Sequence, residues 1–324
     1  MNIQQLFKQR EQLRKEKRYV EADQVRGEIE KKGYTIIDGI NDSQLVKKDY
    51  ILPMKNPLTT KTLGKVALFG SGELSSIGRK VHERLIKNFP PPVKIALLPT
   101  PAGFEENPYA WYKKVQTALM IGLQTYKPLV FYIEALKNEG RKSTNNPQLL
   151  QKLRNVDYIH TGAGSPSYAV KHFKNSLAYQ ILCEQVKKGV SLSFASAAAI
   201  ALSKFALPIY EIYKAGQEIH WQDGLDFFSL WGLNVTVIPH WDNKEGGVEI
   251  DTSFCYLGKK RFLKLKKLLP AKTNILCIAE QTACLFDLEK REVEIMGSGG
   301  VYLIGQKSEE TFWPGQKFSF KDLI

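Results

Sequence analysis

The run Ser191-Leu-Ser-Phe-Ala-Ser196-Ala-Ala-Ala-Ile-Ala-Leu passes from an apolar strand pattern into an alanine-rich helix pattern with no loop between them. A tight turn therefore falls at Ser196. Small residues on either side let strand and helix backbones approach, as a serine nucleophile on a strand-to-helix elbow requires. The helix N-terminus then aims free N–H groups at the hydroxyl, which suits an oxyanion. The same local pattern fits equally well a serine that only caps an alanine helix. Two further segments supply partners of the right chemical type. Val235-Thr-Val-Ile-Pro-His240 sets a histidine directly after a strand, where a general base would stand. Ile275-Leu-Cys-Ile-Ala-Glu280 ends another strand in a carboxylate able to orient an imidazole. Each alone reads most simply as structural; the three together are a candidate acyl-transfer set.

Those residues need a scaffold that brings three strand ends to one rim. From residue 66 onward short apolar runs alternate with helical patterns: strands over 66–69, 94–98, 129–133, 157–160 and 190–194, and helices over 77–88, 108–124, 148–154 and 168–188. Such alternation predicts an α/β fold with a mostly parallel, doubly wound sheet. After residue 231 strands follow at 234–238, 274–278, 283–287, 292–296 and 301–304, the later ones separated by turns, which predicts antiparallel strands at one edge. Ligands of such sheets sit beyond the carboxyl ends of the strands. Four strand ends carry suggestive loops: Gly70-Ser-Gly72-Glu, Pro99-Thr-Pro-Ala-Gly, Thr161-Gly162-Ala163-Gly164-Ser-Pro and the Ser196 segment.

Before this domain, apolar residues at Leu6, Leu13, Val20, Ala22, Val25 and Ile29 predict two short helices that end at Gly33. The organisation expected is a helical hairpin over residues 1–45, a linker over 46–64, the α/β domain over 65–308 and a C-terminal tail over 309–324. The stretch from Arg10 to Tyr34, with its Tyr-Val-Glu-Ala-Asp-Gln-Val-Arg-Gly-Glu-Ile run, resembles the C-terminal hairpin of cysteinyl-tRNA synthetases. The resemblance spans about 40 residues and excludes the synthetase activity, whose signature segments are missing from this chain. It implies an RNA or protein contact through residues 1–45. Eleven Lys/Arg against nine Asp/Glu in residues 1–50 are nearly balanced, which favours a protein partner at least as much as phosphate.

Over about 240 residues the α/β segment resembles the peptidase E and cyanophycinase family of serine peptidases, related to class I glutamine amidotransferases. The matching residues are Gly162-Ala-Gly164, Phe194-Ala-Ser196-Ala-Ala-Ala199 against a G-x-S-A-G-A elbow, His240, Ala279-Glu280-Gln-Thr-Ala against D-E-x-T-A, and the Gly-Ser-Gly-Gly-Val run at 297–301. The resemblance implies a class I glutamine amidotransferase-like fold, with Ser196 as nucleophile, His240 as base and Glu280 as orienting acid. It offers Glu211, fifteen residues after the serine, as a second acid. Ala197 and the loop Gly162, Ala163 and Gly164 would hold the oxyanion, with Gly70 and Gly72 on the same rim. Apart from the resemblance, the run over 241–251 could shape the pocket of a small peptide or amide substrate, with Glu245 and Asp251 receiving a basic group, although a solvated loop is the commoner meaning of such a run. Alanine stands at Ala198, where the family has glycine, and at Ala279, where it has an acid; Ala195 precedes the serine. Alanine penalises any position that needs φ > 0, so a binding protein that keeps the fold without turnover is the alternative reading.

Composition narrows the remaining classes. No apolar run approaches the roughly 18 residues of a membrane span, and the N-terminal Met1-Asn-Ile-Gln-Gln lacks the order of a signal peptide, so a cytoplasmic location and no membrane contact are expected. Cys183, Cys255, Cys277 and Cys284 form no CxxC pair and the five histidines no HxxxH or HExxH spacing. Free thiols, no metal and no cofactor are the expectation. The net charge of +13 could draw an acidic partner, but the basic pairs and runs at Lys113 and Lys114, Lys187 and Lys188, 259–261 and 264–267 are spread along the chain. That spread speaks for solubility over a single footprint. A homo-oligomer stays open.

Overall fold

The structure is a computed structural model that describes residues 2–38, 43–47, 62–305 and 308–323. The chain divides into two compact units, Met1–Thr59 and Thr60–Ile324.

In the first unit, α1 (Ile3–Lys15) and α2 (Tyr19–Lys31) form a helical hairpin followed by β1 (Tyr34–Asp38), paired antiparallel with β2 (Ser43–Lys47). Asn2 and Gln5 close a capping box at the first helix, each side chain bonding the other's backbone N–H. Leu6, Leu13, Ala22, Val25, Ile29 and Ile36 make a small core of their own. The hairpin's arginines are largely occupied: Arg18 is held by Glu16 and Glu21, Arg26 by Glu30 and the Ile36 carbonyl, and the fully buried Arg10 by Glu11 and Ser43. Strand β2 takes in Val46 and Lys47 from the expected linker, and residues 48–61 of that linker lie outside the described residues.

The second unit is the α/β domain. In chain order its strands and helices are β3 (Lys65–Phe69), α3 (Ser76–Ile86), β4 (Lys94–Leu97), α4 (Pro108–Gly122), β5 (Leu129–Tyr132), α5 (Pro147–Leu150), β6 (Tyr158–Thr161), α6 (Pro166–Phe173), α7 (Leu177–Lys187), β7 (Ser191–Ala195) and α8 (Ala197–Ala201). There follow β8 (Phe205–Ala206), α9 (Ile209–Tyr213), β9 (Gln222–Asp223), β10 (Val235–Ile238), α10 (Gly258–Lys266), β11 (Asn274–Ile278), β12 (Thr282–Asp287), β13 (Glu292–Gly297), β14 (Val301–Ile304), β15 (Glu309–Phe312) and β16 (Lys317–Ser319).

Eight strands form the central sheet in the order β16-β13-β12-β3-β7-β6-β4-β5. The five from β3 to β5 are mutually parallel, and β12, β13 and β16 run antiparallel beyond β3. Both faces are covered, and the period-2 alternation of a strand sorts side chains between them. Thus Val66 and Leu68 of β3 enter one core while Ala67 and Phe69 enter the other, with Val81, Leu85 and Tyr112.

The expected antiparallel edge is present as β12, β13 and β16. The other late strands lie elsewhere: β10, β11, β14 and β15 form a second, four-stranded sheet, with β10 and β11 parallel. The helix expected over 168–188 is two helices, because Asn175 adopts φ 60° and Ser176 begins a new helix by accepting a hydrogen bond from Tyr179 N–H. Residues 309–324 also do more than trail from the domain, since β15 and β16 add one strand to each sheet.

Candidate active site

Ser196 joins β7 to α8 with φ 52° and ψ −116°, a backbone that L-residues adopt only under constraint. Its N–H donates to the Phe69 carbonyl of the neighbouring strand at 3.3 Å. Its side chain makes no capping bond to α8, which removes the plain helix-cap role. The hydroxyl instead lies 2.9 Å from His240 Nε2. The positive φ belongs to Ser196 alone: Ala195 is the last residue of β7 and Ala198 lies within α8, neither in the left-handed region. Alanine at these two positions therefore costs no backbone strain. Both are almost fully buried, so small side chains are what the crowded turn needs.

His240 follows β10, itself at φ 52°. Its N–H donates to Gly70 O at 3.3 Å, and its carbonyl accepts from Cys255 N–H at 3.1 Å. Across the ring, Nδ1 lies 3.0 Å from Glu280 Oε1. Burial raises the Glu280 carboxyl, but the hydrogen bond and charge of His240, with donors Ser71 and Asn243, outweigh it and hold the group down to about 2. An ionised carboxylate can only accept, so Nδ1 carries the proton. In the neutral ring Nε2 is then the bare acceptor and Ser196 Oγ–H donates to it.

The Glu280 turn is held from two sides. Its N–H donates to Asp242 Oδ1 at 2.7 Å, and Gln281 N–H donates to Ser71 Oγ at 2.9 Å. A side chain at Gly70 would meet the Ala279 carbonyl at 2.1 Å, so the loop after β3 can press against the end of β11 only with glycine there. Gly70 and Gly72 thus buttress the His240 and Glu280 turns and do not line the cavity beside the serine.

That cavity, of ≈ 560 Å³, opens over Ser196 and His240 and is lined among others by Gly164, Ala197, Tyr210, Tyr213, Lys214 and Glu245. Ala197 begins α8, so its N–H has no intrahelical acceptor and faces the serine's end of the helix. Gly162 N–H donates to Tyr112 Oη at 3.0 Å and is committed to the scaffold, which takes it out of the expected oxyanion set. Gly164 remains beside the serine, while Ala163 precedes it in the same loop. Glu245 faces the cavity with Oε2 accepting from Tyr256 Oη at 2.7 Å. Asp251 does not: its carboxylate takes the Ser253 and Lys259 N–H groups and holds the entry to α10. His240 Nδ1 bonds Glu280 and not Glu211, whose Oε2 is buried without a hydrogen-bond partner among the described residues.

Below the rim lies a chain of buried polar groups. His82 Nε2–H donates to the Glu73 carbonyl at 2.9 Å, so its Nδ1 accepts from Tyr158 Oη at 2.6 Å. Tyr158 also bonds Ser193 Oγ, which in turn meets His160 Nδ1 at 2.7 Å. Burial pushes His82 down to about 4, and burial together with the His82 charge pushes His160 well below its ordinary range. The four cysteines are free thiols, and burial raises Cys255, the one beside His240. Among the described residues no three His, Cys, Asp or Glu side chains gather as a metal site, and no helix is long and apolar enough to cross a membrane.

Sequence reasoning missed Asn243, which donates to Glu280 Oε1 at 2.8 Å, and the strap Phe254-Cys255-Tyr256, three successive residues at φ 57°, 57° and 64°. Asn243 stands only three residues beyond His240, a local signal for a partner of the same site. Nothing in the types Phe, Cys and Tyr announces a left-handed turn.

No family model and no curated protein matches the chain. Among solved structures, a peptidase from an acI-B1 Actinobacterium aligns with a TM-score of 0.64 at 22% identity, over 80% of this chain and 98% of its own. A candidate peptidase E protein from Listeria monocytogenes EGD-e aligns with a TM-score of 0.46 at 16% identity, over 77% and 98%. The first likeness shows a peptidase-like α/β fold.

Proposed function

We propose that the protein is a serine hydrolase that cleaves a small peptide or amide through Ser196, His240 and Glu280. The observation that carries this reading is the unbroken series Ser196 Oγ to His240 Nε2 to Glu280 Oε1, at 2.9 and 3.0 Å, opening onto a cavity large enough for a small ligand. The peptidase-like fold supports it.

In this mechanism Ser196 Oγ attacks the amide carbonyl while His240 Nε2 takes the hydroxyl proton. Glu280 stabilises the imidazolium and keeps Nδ1 protonated. The oxyanion is held by Ala197 N–H and by the loop at Ala163 and Gly164. The proton then passes from Nε2 to the leaving amine, and water, activated by the same nitrogen, releases the acyl group. Glu245 and Lys214 place one carboxylate and one ammonium on the cavity wall, so a substrate bearing charges of both signs fits it better than an apolar one.

A fluorophosphonate probe tests the reading, because it needs an activated serine and no knowledge of the substrate. The wild type is expected to label and Ser196→Ala to remain unlabelled. Absence of labelling across several probes of different size would favour the alternative, a binding protein without turnover. The chief motive for that alternative, alanine in place of glycine, loses force because Ala198 needs no positive φ. For residues 1–45, the resemblance to a synthetase hairpin and the acid-paired Arg18 and Arg26 favour a protein partner over RNA. Salt-dependent tRNA affinity in a filter-binding assay would reverse that preference.

A further inference from the structure

Residues 252–279 hold seven Lys/Arg and no Asp/Glu. The unit Thr60–Ile324 as a whole holds 34 Lys/Arg against 24 Asp/Glu, so about a tenth of its length supplies seven of its ten excess positive charges. The basic runs at 259–261 and 264–267, which looked scattered along the chain, are one structural feature centred on α10.

The helix is anchored through Phe262 and Leu265, one turn apart and buried at 3% and 0% exposure. The Phe262 ring stacks on Phe254 at 4.9 Å and meets Trp241 edge-on at 5.0 Å, while the Leu265 carbonyl accepts from Trp221 Nε1–H at 2.9 Å. With that stripe fixed inward, Lys259, Lys260, Arg261, Lys264 and Lys267 are all exposed. None of the five ion-pairs with a carboxylate among the described residues. Two leucines of the same segment are exposed as well, Leu263 at 49% on α10 and Leu268 at 57% just past its end.

Like charges crowded on one short helix repel one another, and the field they make is complementary to a polyanion. The leucines decide which kind. They gain little from a phosphate backbone, but beside lysines they suit the boundary between headgroups and acyl chains. We propose that α10 is a docking surface for an anionic lipid bilayer, with the cations on the headgroups and Leu263 and Leu268 entering the interface. The attachment is peripheral, and it is independent of the hydrolase reading because it uses no residue of the cavity.

Co-sedimentation of the full chain with vesicles tests it. Binding is expected to phosphatidylcholine vesicles containing about one quarter phosphatidylserine and not to phosphatidylcholine alone, and to fall as salt is raised. The triple variant Lys260→Glu, Lys264→Glu, Lys267→Glu should lose binding. Leu263→Ser with Leu268→Ser should weaken vesicle binding severalfold while retention on heparin stays as in wild type. All five substituted side chains are exposed, on α10 or in the two residues that follow it, and thermal melting by circular dichroism checks that each variant folds; if the charge variant does not, the leucine pair carries the test. The proposal is overturned if the wild type ignores the anionic vesicles, if the leucine variant binds them undiminished, or if the chain binds an RNA homopolymer while leaving the vesicles in solution.

Discussion

Asn243 Nδ2 donates to Glu280 Oε1 at 2.8 Å, the same carboxylate oxygen that faces His240 Nδ1 at 3.0 Å. One oxygen thus serves two donors, and Asn243 fixes where that oxygen stands relative to the imidazole. Its loss would leave Glu280 free to turn and His240 free to lose its tautomer. Asn243→Ala is expected to slow fluorophosphonate labelling of Ser196 by roughly tenfold to a hundredfold, the size of a lost hydrogen bond to a charged group. Probe affinity, read from the concentration dependence of the labelling rate, should stay unchanged. A rate equal to wild type would reduce Asn243 to a structural loop residue.

Glu280→Gln tests the acid itself. The amide can present N–H to Nδ1 and so stabilise the wrong tautomer, with the lone pair turned away from Ser196. Labelling should fall by about 10³–10⁴. The same variant has a stability signature. The folded carboxyl lies near 2, below its ordinary 4.5, so its contribution is fully present above about pH 4.5 and disappears as pH falls through about 2. The difference in melting temperature between wild type and Glu280→Gln should shrink over that window and be flat above it. Because the carboxylate is part-exposed, the difference is expected to be small.

The elbow supplies a prediction of opposite sign for activity and stability. Ser196 at φ 52° and ψ −116° occupies a region where glycine is at ease and a residue with a Cβ is strained by about 1–3 kcal/mol. Ser196→Gly should therefore melt higher than Ser196→Ala, by roughly 2–4 °C for each kcal/mol relieved, although both lack the hydroxyl. Equal melting temperatures would mean that the turn relaxes without its serine.

What was readable in the chain follows the range of the interactions involved. The strands of the central sheet announce themselves because apolar runs such as Val66-Ala-Leu-Phe69 are local, and burial on both faces makes them continuous. The serine's turn was readable for the same reason, since a strand pattern meets a helix pattern with no residue to spare. The partition of the late strands into two sheets was not readable: β11 and β12 look alike in sequence, yet β11 pairs with β10 and β14, whereas β12 pairs with β3, more than 200 residues earlier. Which acid faces His240 was equally non-local. Glu211 and Glu280 are both glutamates near element ends, and only the approach of Gly70 to Ala279 brings the second one to the ring. The commitment of Gly162 N–H to Tyr112, 50 residues away, is a third case.

Gly164 tests the loop beside the serine. It adopts φ 144°, and a Cβ there would stand 2.0 Å from the Pro101 carbonyl, which itself accepts from Ser165 N–H at 2.9 Å. Backbone cannot yield as a side-chain end could, so Gly164→Ala should cost more than the about 1 kcal/mol of an ordinary glycine replacement and displace the loop from Ser196. Expected together are a lower melting temperature and slower labelling. A lower melting temperature without any change in labelling would place the oxyanion donors elsewhere.

The buried pair His82 and His160 sets the acid limit of the fold. Burial keeps His82 neutral down to about pH 4, whereas in the unfolded chain it takes a proton near its ordinary 6.5. A base with a depressed folded pKa binds fewer protons folded than unfolded across that interval, so stability falls as pH drops from about 6.5 to about 4 and levels off below it. For His82 the loss amounts to about 3 kcal/mol, and His160 adds to it in the same direction. Glu73 acts with the opposite sign, since burial raises its carboxyl, so the whole curve is less diagnostic than a difference between variants. His82→Gln removes the proton site but keeps a donor for the Glu73 carbonyl. Urea unfolding at a series of pH values should show the slope of stability against pH between 4 and 6.5 reduced by about one proton in the variant. An unchanged slope would mean that His82 is protonated in the fold, with Tyr158 and Ser193 rearranged to accept from it.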